Sequence, residues 1–245
     1  MANSIFVLTG AGISAESGLG TFRDKDGQGI WARFDPMKLA TPEAFARDPE
    51  RVLAFYDLRR RNLLNAQPNA AHRALARLEQ ALFGRGGHLT LVTQNIDDLH
   101  ERAGSRRLIH MHGELLKARC QRCGAVRLWP EDLSAADVCA DCGRAGGLRP
   151  HVVWFGELPL YLDEIEGALR RSDLFVAIGT SGAVYPAAGF VQEARAMGIE
   201  TCEINLESAD NADLFDDRRY GPASETVPAW VEEILNRRVG ASLTG

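Results

Sequence analysis

Ser4-Ile5-Phe6-Val7-Leu8-Thr9 is a strand-length, almost uninterrupted apolar run that ends directly in Gly10-Ala11-Gly12. A run without polar alternation suits a strand covered on both faces, as in a parallel sheet wrapped by helices. Similar runs recur over residues 89–93, 108–111, 174–178 and 201–204. Residues 69–83 carry Leu75, Leu78 and Leu82 at helical spacing, with Asn69 placed to cap the start and Gly84 to stop the end. This alternation predicts an α/β fold with a doubly wound, mostly parallel, Rossmann-like sheet.

Two stretches break the rhythm. Residues 28–67 hold no strand-like run, only Trp31, Phe34, Phe45, Val52, Leu53 and Phe55 at helix-compatible spacings, so a helical insertion is expected there. Residues 117–147 are polar, contain glycine and carry four cysteines, as a metal-held module does. The expected large domain is therefore residues 1–27, 68–116 and 148–245, and the small one residues 28–67 and 117–147. Residues 236–245 lose the pattern and are read as a loose tail.

Cys120-Gln121-Arg122-Cys123 and Cys139-Ala140-Asp141-Cys142 are two CxxC knuckles with fifteen residues between them, a spacing that lets four thiolates close a tetrahedron. Four sulfur ligands leave no position open for water, so one structural Zn²⁺ is expected, stapling a segment too poor in apolar residues to fold unaided. A rubredoxin-like iron site is the alternative; ligand type and spacing favour zinc. Cys202 lies in an expected buried strand and reads as a small core residue.

The 245 residues carry a formal charge of −5, which disfavours a broad cationic surface for nucleic acid. No apolar stretch is long enough to cross a bilayer, and residues 1–9 lack the marks of a secretory signal. A cytoplasmic protein with no direct nucleic-acid partner and no membrane association is the expectation.

After the first strand, Gly10, Gly12 and Ala15 form a GxGxxA turn of the kind that lets backbone amides approach a pyrophosphate. A dehydrogenase would next need a second strand ending in an acidic residue roughly 20 positions on. The nearest acid, Asp35, follows no strand-like run, so hydride transfer is disfavoured. A second glycine-rich stretch follows instead, from Glu16 through Thr21 to Arg23. The other strands also end in polar groups: Gln94-Asn95-Ile96-Asp97, His112-Gly113, Gly179-Thr180-Ser181 and Asn205-Leu206-Glu207. Ligands of open α/β sheets bind outside the carboxyl ends of the strands, so these groups are expected to meet in one crevice. Of the histidines, His112 is the candidate catalyst, because Gly113 lets the chain turn beside it, and His110 is read as a support for the sheet. His72, His88, His100 and His151 are read as ordinary core or surface groups.

Taken together, GAGISAESGLGTFR (residues 10–23), TQNIDDLHERAG (93–104), HMHGE (110–114), the paired CxxC, VVWFGE (152–157), GTS (179–181) and NLE (205–207) resemble the sirtuins, in the family's order, over residues 5–235. The resemblance implies an NAD-dependent protein-lysine deacylase. In that reaction the acyl-lysine oxygen attacks the nicotinamide ribose of NAD, nicotinamide leaves, and lysine and O-acyl-ADP-ribose are released. It further implies that His112 is the general base for the ribose hydroxyl and that Asn95 and Asp97 border the nicotinamide pocket. Gly10, Ala11, Gly12, Ala15, Glu16, Thr21, Phe22, Arg23, Gln94, Asn95, Ile96, Asp97, Gly179, Thr180, Ser181, Asn205, Leu206, Glu207 and Ala223 become the NAD-binding set. Val153, Phe155, Gly156 and Glu157 on one side and Val184 on the other are expected to hold the acylated-lysine protein or peptide as an extended added strand.

Tyr56 and Arg59, three apart on an expected helix, resemble the tyrosine and arginine pair of class III sirtuins, which receive succinyl or malonyl carboxylates. Desuccinylase and demalonylase activity, with deacetylase activity retained, is the expectation. Two rivals stay open at this point: a mono-ADP-ribosyltransferase using the same crevice, and a zinc-bearing nucleic-acid-binding module.

Overall fold

The computed structural model describes residues 3–21 and 34–240. Its main sheet is parallel, with strands in the order β3-β2-β1-β7-β8-β9. These are β1 (Ser4–Thr9), β2 (His88–Thr93), β3 (Leu108–His110), β7 (Leu174–Ile178), β8 (Glu200–Asn205) and β9 (Asp217–Tyr220). From β1 the chain steps outward to β2 and β3, then returns to the other side of β1 for β7, β8 and β9. The order thus reverses between β1 and β7, and such a switch point opens a crevice at the strands' carboxyl ends.

Side chains alternate across β1, so Ile5 and Val7 face one layer while Phe6 and Leu8 face the other. Ile5 and Val7 pack with helices α4 (Ala70–Phe83) and α8 (Ala223–Gly240) through Leu75, Leu78, Val227 and Trp230. Phe6 and Leu8 pack with α6 (Leu162–Leu169) and α7 (Phe190–Ala196) through Ile165, Leu169, Phe190 and Val191. Both faces of the strand are apolar because both are covered. Asn69 caps α4 as expected, its side chain accepting from Ala71 N at 2.9 Å.

The helical insertion contains a 3₁₀ turn at Pro36–Lys38, then α2 (Pro42–Arg47) and α3 (Pro49–Asn65). Thr41 caps α2 and Asp48 caps α3, each just ahead of a proline at the first helical position. A second sheet is antiparallel, ordered β5-β4-β6, from β4 (Gly113–Cys120), β5 (Val126–Leu128) and β6 (Leu148–Val152). It takes in residues on both sides of the expected 117–147 module, because β4 needs β6 as its hydrogen-bonding partner. One core joins Phe45, Val52 and Phe55 of the insertion to Cys120, Leu133 and Cys139 of the cysteine module. Among the described residues no helix is long and apolar enough to cross a membrane.

A buried carboxylate, paired within its own helix, fastens the insertion to the cysteine module. Arg60 is wholly buried and its guanidinium donates to Asp57, which also accepts from Leu133 N at 3.0 Å. Asp57→Ala strands that guanidinium without its counter-charge, and is expected to lower stability by about 3–5 kcal/mol. The measurement is the denaturant midpoint at unchanged slope. A loss below about 1 kcal/mol, the range of surface pairs, would contradict this account.

Candidate active site

The turn after β1 is pressed against the turn after β7. Gly10 N donates to Ile178 O and Gly12 N to Gly179 O, both at 2.9 Å. A Cβ on Gly12 would lie 2.7 Å from the Gly179 Cα, and one on Gly179 2.4 Å from Ile13 N. Gly179 also has φ +63°, a conformation that side chains rarely adopt. These glycines therefore let two strand ends meet at the switch point, where Ala11 is left facing a cavity of about 170 Å³.

Asn95, Ile96 and Asp97, from the end of β2, line the same cavity, and Arg59 reaches it from α3. Asn95 Nδ2 donates to Ser14 Oγ at 3.1 Å, and Ser14 Oγ donates to Asp97 Oδ2 at 3.0 Å. Burial raises the Asp97 pKa, against the opposing bonds from Leu99 N and Ser14. Arg59 is pulled below its ordinary value, first by burial, while Tyr56 and Asp97 act the other way. A guanidinium and a carboxylate thus face each other across one cavity.

His112 follows Met111 at the end of β3. Its Nδ1 lies 3.0 Å from Gln94 O. A carbonyl can only accept, so Nδ1 carries the proton and Nε2 offers its lone pair. Burial lowers the His112 pKa, only partly offset by the Gln94 bond. Gly113 has φ +81°, and a Cβ there would meet His151 O at 2.1 Å, so glycine is required for β4 to leave His112 in this direction. His112 O accepts from Val153 N at 2.8 Å, which ties the start of residues 153–157 to the His112 backbone.

His110 bridges Glu101, at 2.6 Å from Nε2, and Asn95 O, at 3.2 Å from Nδ1. Burial works to lower its pKa, but Glu101 and its neighbours outweigh burial and the net shift is upward. His110 so braces the Asn95 loop.

At the ends of β7 and β8, Asn205 Nδ2 donates to Thr180 O at 2.7 Å, and its Oδ1 accepts from Leu206 N at 3.0 Å. Ser181 O accepts from Asp210 N at 3.0 Å, and Leu206 and Glu207 are exposed. Exposed Glu16 accepts from the backbone and hydroxyl of Ser224, which joins Ala15 and Glu16 to the start of α8 at Ala223. Thr21 is half-buried; Phe22 and Arg23 lie outside the described residues.

The four cysteines gather as expected, with ligand atoms all within 4.8 Å of one another. The sulfurs of Cys120 and Cys142 are 3.9 Å apart, and those of Cys123 and Cys139 3.7 Å. A tetrahedron with Zn–S bonds of about 2.3 Å has S···S edges of about 3.8 Å, so the set fits one zinc ion.

A family model described as the Sir2 family matches residues 10–186. The chain belongs to the Sir2 family. The NAD-dependent protein deacylase of Caulobacter vibrioides is 64% identical, over 95% of this chain and 97% of its own length. That of Escherichia coli K12 is 56% identical, over 94% and 82%. A Sir2 homologue variant solved with ADP-ribose superposes with TM-score 0.89 at 39% identity, covering 98% of this chain and 94% of its own. A Sir2 protein bound to acetylated peptide gives 0.78 at 30%, covering 95% and 93%.

In this Sir2-family chain the site rests on buried polar groups that the sequence did not single out. Ser14, 1% exposed, receives Asn95, gives to Asp97 and lies 3.4 Å from His72 Nε2. Thr9 donates to Thr93 at 2.9 Å, and Thr93 accepts from Asn95 N at 3.0 Å. His100 Nε2 stands 3.1 Å from Thr9. Burial keeps both histidines neutral, His72 down at about 4 and His100 well below its usual value. Tyr56 lies in the small domain's core, its hydroxyl 2.9 Å from Trp154 Nε1, while Arg59 lines the cavity. Glu157 is taken up by Arg149 and by Trp154 N.

Proposed function

We propose that this chain removes acyl groups from protein lysines at the expense of NAD, and that it favours short acyl groups ending in a carboxylate. The observation that carries the reading is one cavity lined by Arg59, Asn95 and Asp97 together with Ala11 of the glycine turn. NAD supplies a departing nicotinamide and the ribose hydroxyl that takes over the acyl group. The glycine turn, Ser181, Asn205 and Glu207 hold the dinucleotide in this reading, and Asn95 and Asp97, fixed through Ser14, orient its nicotinamide end. His112 takes the ribose proton on Nε2, because Gln94 fixes the tautomer and burial keeps the ring neutral near neutral pH.

The N–H groups of Val153, Trp154, Phe155 and Glu157 are bonded to His112 O, the Glu157 carboxylate, Ala40 O and Trp154 O. An incoming strand at this edge is therefore received by carbonyl oxygens, with Gly182 to Tyr185 as the facing edge. Recognition through main chain makes the enzyme tolerant of sequence around the lysine. The acidic balance supports acylated proteins and peptides, rather than nucleic acid or a membrane surface, as its partners in the cytoplasm.

The test is one peptide carrying acetyl-, malonyl- or succinyl-lysine, assayed with NAD against a His112→Ala blank. Nicotinamide release with none of them, or a stable ADP-ribose adduct on protein, would overturn the reading. Arg59→Met is expected to lower kcat/KM for the succinyl peptide by about a hundredfold and to leave the acetyl peptide within a few-fold, because truncating one partner of a buried charge pair costs about 2–5 kcal/mol. Equal losses on the two would remove the acyl selectivity.

A further inference from the structure

Trp154 belongs to the edge at residues 153–157, yet its indole turns into the small domain's core, where it is 2% exposed. Its position is tightly determined. The Arg149 guanidinium lies 3.3 Å from the ring centroid, Phe45 packs at 5.3 Å, and the backbone N–H donates to Glu157 at 2.8 Å. Arg149 itself has little freedom, since it donates twice to Glu157, at 2.7 and 2.9 Å, and to Val152 O at 2.7 Å. A ring held under a fixed cation has one direction for its N–H. That direction is Tyr56, whose oxygen is 2.9 Å from Nε1.

An indole N–H only donates, so Tyr56 is the acceptor in this bond and its own hydrogen is directed elsewhere. The neighbouring Arg59 guanidinium is also a donor and does not receive that hydrogen. Accepting one bond polarises the O–H and makes it a stronger donor to a third group. We propose that Trp154 is a specificity-determining positioning residue: by donating to Tyr56 it aims the phenolic hydrogen at the acyl carboxylate that Arg59 receives. It thereby ties the acyl pocket to the peptide-holding edge. The inference deepens, and rests on, the assignment of Tyr56 and Arg59 to an acidic acyl group.

The experiment replaces Trp154 by 3-benzothienylalanine, which keeps the ring's shape and puts sulfur where the N–H was, with Trp154→Phe in parallel. Succinyl and acetyl forms of one peptide are compared by kcat/KM, in the wild-type and Tyr56→Phe backgrounds. Loss of one buried hydrogen bond is expected to lower the succinyl value about fivefold to tenfold more than the acetyl value. In the Tyr56→Phe background the replacement is expected to leave the succinyl-to-acetyl ratio unchanged. Equal losses on both peptides, an unchanged succinyl value, or a loss of selectivity that persists without the Tyr56 hydroxyl overturns the inference. Arg59→Met in the same series separates the two levels: selectivity that survives it overturns the acyl assignment, whereas selectivity lost there but untouched at Trp154 overturns the positioning role alone.

Discussion

His112→Ala is expected to lower deacylation by about a hundredfold to ten-thousandfold, the range for a removed general base. The nicotinamide side of the site is expected to survive, because Asn95 and Asp97 are held by Ser14, Thr93 and Leu99 N rather than by His112. Exchange of labelled nicotinamide into NAD in the presence of acyl peptide therefore falls far less than deacylation does. That split is the diagnostic measurement. If exchange and deacylation fell together, His112 would be needed before nicotinamide departs and its role as the base for the ribose hydroxyl would be lost.

The same residue sets the acid limb of the pH profile. In the proposed role His112 acts in its neutral form, and burial places its pKa below the ordinary 6.5. A base with a depressed pKa is still neutral at 6.5, so kcat/KM holds its plateau through that value and falls only as pH drops through the lower one. A midpoint of the acid limb above 6.5 would contradict the geometry, in which Gln94 is the one offsetting partner among the described residues.

The parts of this molecule that could be read from sequence are those whose pattern is local. The runs in β1 and β7 are apolar on both faces because helices cover both, and the α4 cap needs only Asn69 and its own first turn. The edge strand β9, Asp-Arg-Arg-Tyr, is largely exposed and pairs with β8 through backbone bonds, so no apolar periodicity marks it. The supporting groups of the site are hidden for another reason. Thr9 and Thr93 meet because β1 and β2 pair with those residues in register, and neither threonine is unusual by itself. The His72 and His100 rings meet at a tilt of 59°, 4.8 Å apart, from different helices, a contact that only the fold creates. Ser14 was visible within the glycine motif, but its job depends on Asn95 and Asp97 arriving from a strand more than 80 residues away.

Removing zinc is expected to undo the small domain while leaving the parallel sheet standing. The cysteine module has little else to hold it: Val126, Leu128 and Val138 are exposed, and its buried contributions to the core are chiefly Leu133, Cys120 and Cys139. The apparent free energy of four-thiolate zinc sites is about 10–16 kcal/mol, more than a module of this size can recover from packing. A chelator strong enough to take one zinc per chain should therefore release the amides of Gly124 and Gly143, now bonded to Cys120 O and Cys139 O, to hydrogen exchange. The effect should spread to α3, because Asp57 holds Leu133 N and Arg61 holds Asp132, so the helix that carries Arg59 loses its support. The amides of β1 and β7 belong to separate cores and should keep their protection. Cys139→Ser is the genetic counterpart, with the same exchange pattern and loss of bound zinc expected. If the chelated protein kept its exchange protection at Gly124, Gly143 and α3, the metal would be an accessory to the small domain rather than its staple.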